Sequence, residues 1–262
     1  MKKLLNIFII LLLFSASSLF AKSGIEIGIF VPIGMSVGLN SYSLTNKNPT
    51  KQQQDNFETA VKQFERKSAV GFDAGASFHI GYRFEMNKDM SVSVLGELGY
   101  AHDEFSFYRK STDKNYKNTL NYTLESLAIG IYPKFNWKKF SFGLNLGVKI
   151  PLYSRSISSY TDYKNKNIDR NIEYYNAFQV KDLFKVQAMG YIRFSVDYSV
   201  YTDNKFALVL GGYIGGDFGL SLKKSSINNQ TIANQNIAAL TKQTVSSFDI
   251  GFQVGVKILP NN

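Results

Sequence analysis

From Ile25 to Leu39 every odd position is apolar: Ile25, Ile27, Ile29, Val31, Ile33, Met35, Val37 and Leu39. The even positions include Glu26, Gly28, Gly34, Ser36, Gly38 and Asn40. A period of two makes this a β-strand with two unlike faces. The run is long for an average soluble strand. Its second face is Gly- and Ser-rich, whereas a solvent face normally carries Lys, Glu and Thr. Small residues suit the crowded inside of a narrow barrel. The apolar face is therefore expected to meet lipid and the small face to line a lumen.

The chain opens Met-Lys-Lys, runs apolar from Leu4 to Phe14, and continues through Ser15, Ala16, Ser17, Ser18 and Ala21. That order predicts a secretory signal peptide over residues 1–21, leaving 22–262 as one barrel domain. The apolar run is shorter than the roughly 20 residues of a spanning helix. There is no cysteine, which excludes disulfides, a lipid-modified N-terminal Cys and thiolate zinc sites. The formal charge of +10 becomes +8 without Lys2 and Lys3.

The alternation recurs seven more times. Val70 to Phe84 alternates with Gly71, Asp73, Gly75, Ser77, His79, Gly81 and Arg83. Further apolar faces run Met90 to Tyr100, Leu127 to Trp137, Phe140 to Leu152, Val186 to Tyr198, Phe206 to Leu220, and Phe248 to Ile258. Short connections are expected at Asn87–Asp89, Lys138–Lys139 and Thr202–Asn204. Long ones are expected near residues 41–69, 105–122, 154–183 and 223–244. In the first, Phe57, Ala60, Val61 and Phe64 have helical spacing, which predicts a helix over Gln52 to Arg66. Alternating short and long connections are the outer-membrane arrangement. The fold class is all-β: an eight-stranded antiparallel transmembrane β-barrel with long extracellular loops and short periplasmic turns. A soluble barrel would put its apolar face inside. The Gly-rich second face, the strand length and a girdle of Phe84, Phe135, Trp137, Phe140, Tyr198 and Phe206 argue against that.

The signal peptide, eight alternating strands and connection order together resemble the OmpA/OmpX/opacity-like class of small outer-membrane barrels. The resemblance implies residence in the cell outer membrane and contact with its lipid and lipopolysaccharide. Barrels of that class usually end on an aromatic residue, whereas this chain ends Ile258, Leu259, Pro260, Asn261, Asn262.

Strand parity points charges of both signs inward. The expected interior cluster is Glu26, Arg83, Glu97, Lys134, Lys149, Arg193 and Asp197, with Asp73, Lys185, Asp217, Asp249 and Lys257 also inward. Buried charges must be paired, and eight strands leave room only for side chains. The expectation is a salt-bridge plug, with a Glu26–Arg83 pair at the short-turn end; the alternative is a narrow, porin-like channel.

His102, Glu104 and Ser106 share the outward parity of Tyr100. A base, a carboxylate and a hydroxyl on the outside are similar in kind to lipid A deacylase, which makes a lipid-modifying hydrolase the second alternative. The spacing does not match that family, so the chain is expected not to be an enzyme. With two histidines and no cysteine, no metal site or cofactor is expected.

The long loops are basic. Arg109, Lys110, Lys114 and Lys117 face one acid, Asp113, and Lys223, Lys224 and Lys242 face none. The third loop mixes bases and aromatics. The expected loop binding surface is Arg109, Lys110, Lys114, Lys117, Tyr160, Tyr163, Lys164, Tyr174 and Tyr175, suited to anionic headgroups, glycans or a host protein. Nucleic acid is not expected at such a location, and a monomer is. The best functional reading is a non-enzymatic surface barrel whose basic loops serve adhesion or lipopolysaccharide contact.

Overall fold

A computed structural model describes residues 23–110, 115–185, 188–203, 206–223 and 241–258. The signal-peptide reading, Lys114, Lys224 and Val186 lie outside the described residues. The elements in chain order are β1 (Gly24–Leu44), α1 (Lys51–Phe64), β2 (Lys67–Glu85), β3 (Met90–Lys110), β4 (Tyr116–Trp137) and β5 (Phe140–Asp162). They continue with β6 (Asn167–Asn176), α2 (Val180–Leu183), β7 (Met189–Thr202), β8 (Phe206–Phe218), β9 (Leu220–Ser221) and β10 (Thr241–Ile258).

Eight strands close a ring in the order β1, β2, β3, β4, β5, β7, β8, β10, and β10 pairs back on β1 from Ile27↔Ile258 to Leu44↔Thr241. Every pairing is antiparallel. Closure leaves the ring no unpaired edge, the condition a sheet must meet to cross lipid. The alternating faces dictate its sidedness. Ile29, Val94, Leu98, Ile131, Ile192, Leu210 and Val254 stand exposed on the outside. Ser36, Ser77, Ser93, Ser141 and Asn145 are buried inside. An apolar outside around a polar inside is a transmembrane barrel.

The extracellular connections differ from the expected loops. β3 and β4 pair without interruption from Met90↔Trp137 to Lys110↔Lys117. The stretch expected as a loop at 105–122 is therefore mostly strand. Likewise β5 runs to Asp162 and returns as β6, which pairs only with β5 and lies off the ring. The cause is an inversion of the alternation. Phe105, Phe107, Leu120, Tyr122 and Leu124 keep the strand period but turn inward, while Ser106, Tyr108 and Asn121 turn outward. The wall thus continues past the lipid as a water-exposed sheet.

Two further expectations are corrected. Leu220 belongs inside, at 1% exposure, although Phe218 before it is outside. Between them Gly219 takes φ +98°, which a side chain would resist, and this reverses the parity. Lys185 is exposed, not luminal: the chain there has left α2, and β7 starts only at Met189.

The helix in the first extracellular connection spans Lys51–Phe64. Thr50 caps it: its hydroxyl accepts from the Gln53 amide at 3.2 Å, and the Gln53 side chain accepts from the Thr50 amide at 2.9 Å. Ala60, expected on the packed face, is fully buried.

Candidate functional site

The lumen is filled in four levels. At the turn end, Lys134 of β4 pairs with Glu26 of β1, and Ser93 donates to the same carboxylate at 2.6 Å. Asn136 donates to Ser91 and Ser93 at 3.1 and 3.0 Å, Ser141 donates to Asn136 at 2.7 Å, and Lys257 donates to Ser141 at 2.9 Å. The expected Glu26–Arg83 pair is not formed. Arg83 lies opposite Gly24, Glu26 lies opposite Gly81, and the Arg83 Nε is buried without a hydrogen-bond partner. Ser93, on the strand between β2 and β4, is small enough to let Lys134 reach Glu26.

One level up, Tyr191 and Asn145 donate to Glu97 at 2.5 and 2.8 Å. The Nε2 of His79 stands 3.6 Å from Glu97, with its ring between Phe30 and Tyr132 at centroid distances of 5.0 and 4.8 Å. Asp197 accepts from Gln253 at 2.6 Å and from Tyr132 at 3.3 Å.

The third level carries the most charge. Lys149 pairs with Asp103 at 2.6 Å and Asp217 at 2.8 Å. Arg193 lies 3.8 Å from Asp73 and over the Tyr213 ring at 4.5 Å, and Tyr213 donates to Asp73 at 2.8 Å. Asp103 was missed by the sequence reading, although it shares the parity of Ser93 and Glu97. Above this lies an apolar cap of Phe105, Phe107, Leu124, Phe184, Met189 and Val245 with their buried neighbours. Ions crossing the barrel would have to break both the paired charges and this cap.

The expected loop residues distribute over both faces of the extracellular sheet. Lys110, Lys117 and Tyr174 lie on the outward face, while Arg109, Tyr160 and Tyr175 have inward parity and Tyr163 and Lys164 follow the end of β5. Tyr175 packs on the apolar cap, and burial together with the bond its hydroxyl gives Glu173 pushes its phenol up to about 12. Burial lowers Arg66, whose guanidinium donates to Asn118 at 3.1 Å. At the end of β5, Asp162 accepts from the amides of Lys164 and Asn165 at 2.9 and 3.0 Å. The Asn165 amide first, and then the other donors, hold its carboxyl below the usual range.

On the outward face, Lys110 stands directly opposite Lys117, and both ammonium groups lie over the Tyr108 ring, at 6.0 and 5.7 Å. Lys67 lies opposite Tyr108 on the next strand. Arg155, which donates to Thr123 at 3.3 Å, and Arg170 complete a cationic face. Like charges directly across a strand pair repel, so this arrangement is poised for an anion.

His102 has a carboxylate partner, but not Glu104: its Nδ1 is 2.8 Å from Glu125, the residue opposite it on β4, which also accepts from Tyr100. Glu104 accepts from the Phe72 amide at 3.1 Å, and Ser106 accepts from Asn121 at 2.7 Å. The hydroxyl is thus engaged away from the imidazole. Among the described residues no group of three His, Asp or Glu is placed to hold a metal.

No protein-family model matches the chain, and no curated protein matches it. Among the solved structures similar over most of their length are three outer-membrane proteins. Ail, the attachment invasion locus protein of Yersinia pestis, is 12% identical with a TM-score of 0.28, covering 87% of this chain and 97% of its own. Neisserial surface protein A is 9% identical with a TM-score of 0.33, covering 90% and 97%. The Escherichia coli outer membrane protease OmpT is 10% identical with a TM-score of 0.34, covering 91% and 97%. The fold rests on the strand pairings themselves. This chain is an eight-stranded outer-membrane-type barrel.

Proposed function

We propose that the protein is a non-enzymatic outer-membrane anchor that presents a cationic sheet to anionic groups at the cell surface. One observation carries the reading: Lys110 and Lys117 opposed over Tyr108, with Lys67, Arg155 and Arg170 on the same outward face. This face stands above the lipid-facing wall, where the phosphates of lipopolysaccharide lie. The clustered cations attract such groups through charge, and Tyr108 supplies a flat contact beside them. The filled lumen is why the reading favours a surface role over a channel.

The test is binding of the folded protein to lipopolysaccharide-containing vesicles and to phosphatidylcholine vesicles in increasing salt. The parent should prefer the anionic surface, and salt should erase the preference. Lys110→Glu with Lys117→Glu should abolish it without unfolding the barrel. A soluble sulfated glycan that competes at low concentration would move the ligand from lipid to glycan. Undiminished binding by the charge-reversed variant would contradict the reading.

A further inference from the structure

On the outer wall, Gly212 of β8 sits between Val196 of β7 and Phe252 of β10, its register partners. A cleft of about 580 Å³ opens there in the lipid-facing surface. Most glycines of this region are required by close packing: a Cβ at Gly211 would stand 2.0 Å from Asp197, and one at Gly216 would stand 2.5 Å from the Ser247 carbonyl. Gly212 is different. A Cβ there would come no nearer than 3.7 Å to any atom. The barrel's own packing does not explain the missing side chain. A glycine inside a strand often marks a place where something else approaches closely.

Beside this hole stands its complement. Phe252 is 79% exposed, whereas the next most exposed apolar residues of the described ring, Val70 and Ile25, stand at 63% and 62%. Its ring does not fold over Gly212 to fill the gap. Knob and hole are register partners on neighbouring strands, so with strands about 4.8 Å apart and tilted by roughly 35–45° their depths differ by only about 3 Å, less than the width of a ring. A two-fold axis along the membrane normal exchanges left and right and preserves depth. It therefore brings each Phe252 to the other copy's Gly212, a self-complementary contact of the isologous kind.

We propose that the β8–β10 wall is the interface of a homodimer, with the two Phe252 rings seated in the two Gly212 clefts. In lipid there is no hydrophobic drive between barrels, so association depends on such close packing at small residues. Each copy contributes one ring of roughly 150–250 Å² and the partly exposed Met35, Val196, Leu210, Ile214 and Ile250 around it, which brings the two copies together to the roughly 1,000 Å² in total that a specific interface must clear. Gly96 is a second outward glycine with open space, its Cβ meeting only the Ile80 carbonyl at 3.6 Å. It stands between Ile80 and Ile131, with no aromatic ring in register, so that wall has a hole without a knob.

The native chain has no cysteine, so single cysteines report position cleanly. Copies carrying Gly212→Cys and Phe252→Cys, mixed and folded into phosphatidylcholine vesicles, should be linked by oxidation several-fold more than a Leu98→Cys and Ile129→Cys mixture. The latter are register partners on the far wall. Separately, energy transfer between labelled parent copies should persist as lipid is added, and Gly212→Leu should remove it while the barrel keeps its folded gel mobility. Equal linking on both walls, or transfer that falls with lipid as for independent barrels, would overturn the dimer and leave the cleft to an acyl chain. Transfer surviving in Gly212→Leu would overturn it too.

Discussion

Glu26 and Lys134 meet across the lumen as a buried ion pair, although they belong to β1 and β4, with two strands between them. Ser93 on β3 completes the contact from the side. Lys134→Met should therefore strand a buried carboxylate at a cost of about 3–5 kcal/mol. Glu26→Gln in the same chain should restore much of the loss, and Arg83→Met should cost far less than either. A double-mutant cycle in denaturant reads the coupling. Additive losses for Glu26 and Lys134 would contradict the pair.

The wall itself can be tested at neighbouring positions. Leu146 of β5 faces out, opposite Ile131 and Ile192, whereas Asn145 faces in and donates to Glu97 at 2.8 Å. Leu146→Arg should lower stability in bilayers by about 2–4 kcal/mol near the midplane. Asn145→Leu should cost about 1–3 kcal/mol, by leaving the Glu97 oxygen short of a donor. Equilibrium unfolding from vesicles measures both. A Leu146→Arg variant as stable as the parent would refute its lipid contact.

Strand parity alone placed Glu26, Glu97, Lys134, Lys149, Arg193 and Asp197 inside, because a closed wall has only two faces. It did not reveal which of them touch. Partners across a lumen depend on how the strands are staggered, and residues such as Ser93 and Tyr191 decide the reach. Parity is also lost at local defects. Gly219 reverses it before Leu220, and β5 carries an irregularity where Glu125 pairs with Tyr153 and Ser126 with Pro151. The apolar cap was legible in principle. Phe105 and Phe107 continue the period of β3 with the apolar side exchanged, as expected when a strand leaves lipid for water and packs over its own lumen.

The β4–β5 turn holds Lys138 at φ 53° between the paired Trp137 and Phe140. An L-residue in this region costs roughly 1–2 kcal/mol, and glycine adopts it freely. Lys138→Gly should stabilise the barrel by about 1 kcal/mol. The loss of the lysine's contact with the Trp137 ring, at 5.9 Å, makes the gain smaller than the full strain. A lower unfolding midpoint would contradict this.

The Asp162 turn should loosen in acid. Its folded carboxyl titrates below the free value, so its contribution is present above the ordinary range near pH 4 and is lost as pH falls through the lowered value. Amide exchange at Lys164 and Asn165 should quicken there, and Asp162→Asn should show the fast exchange already at neutral pH. Acid-insensitive exchange in the parent would contradict the assignment.

Paired charges and an apolar cap fill the lumen, and the surface role proposed above depends on that filling. Single-channel recording of the folded protein in planar bilayers tests it most directly. A filled lumen should give a flat baseline with no discrete conductance steps at moderate voltage. Large, steady single-channel currents from the parent protein would contradict it.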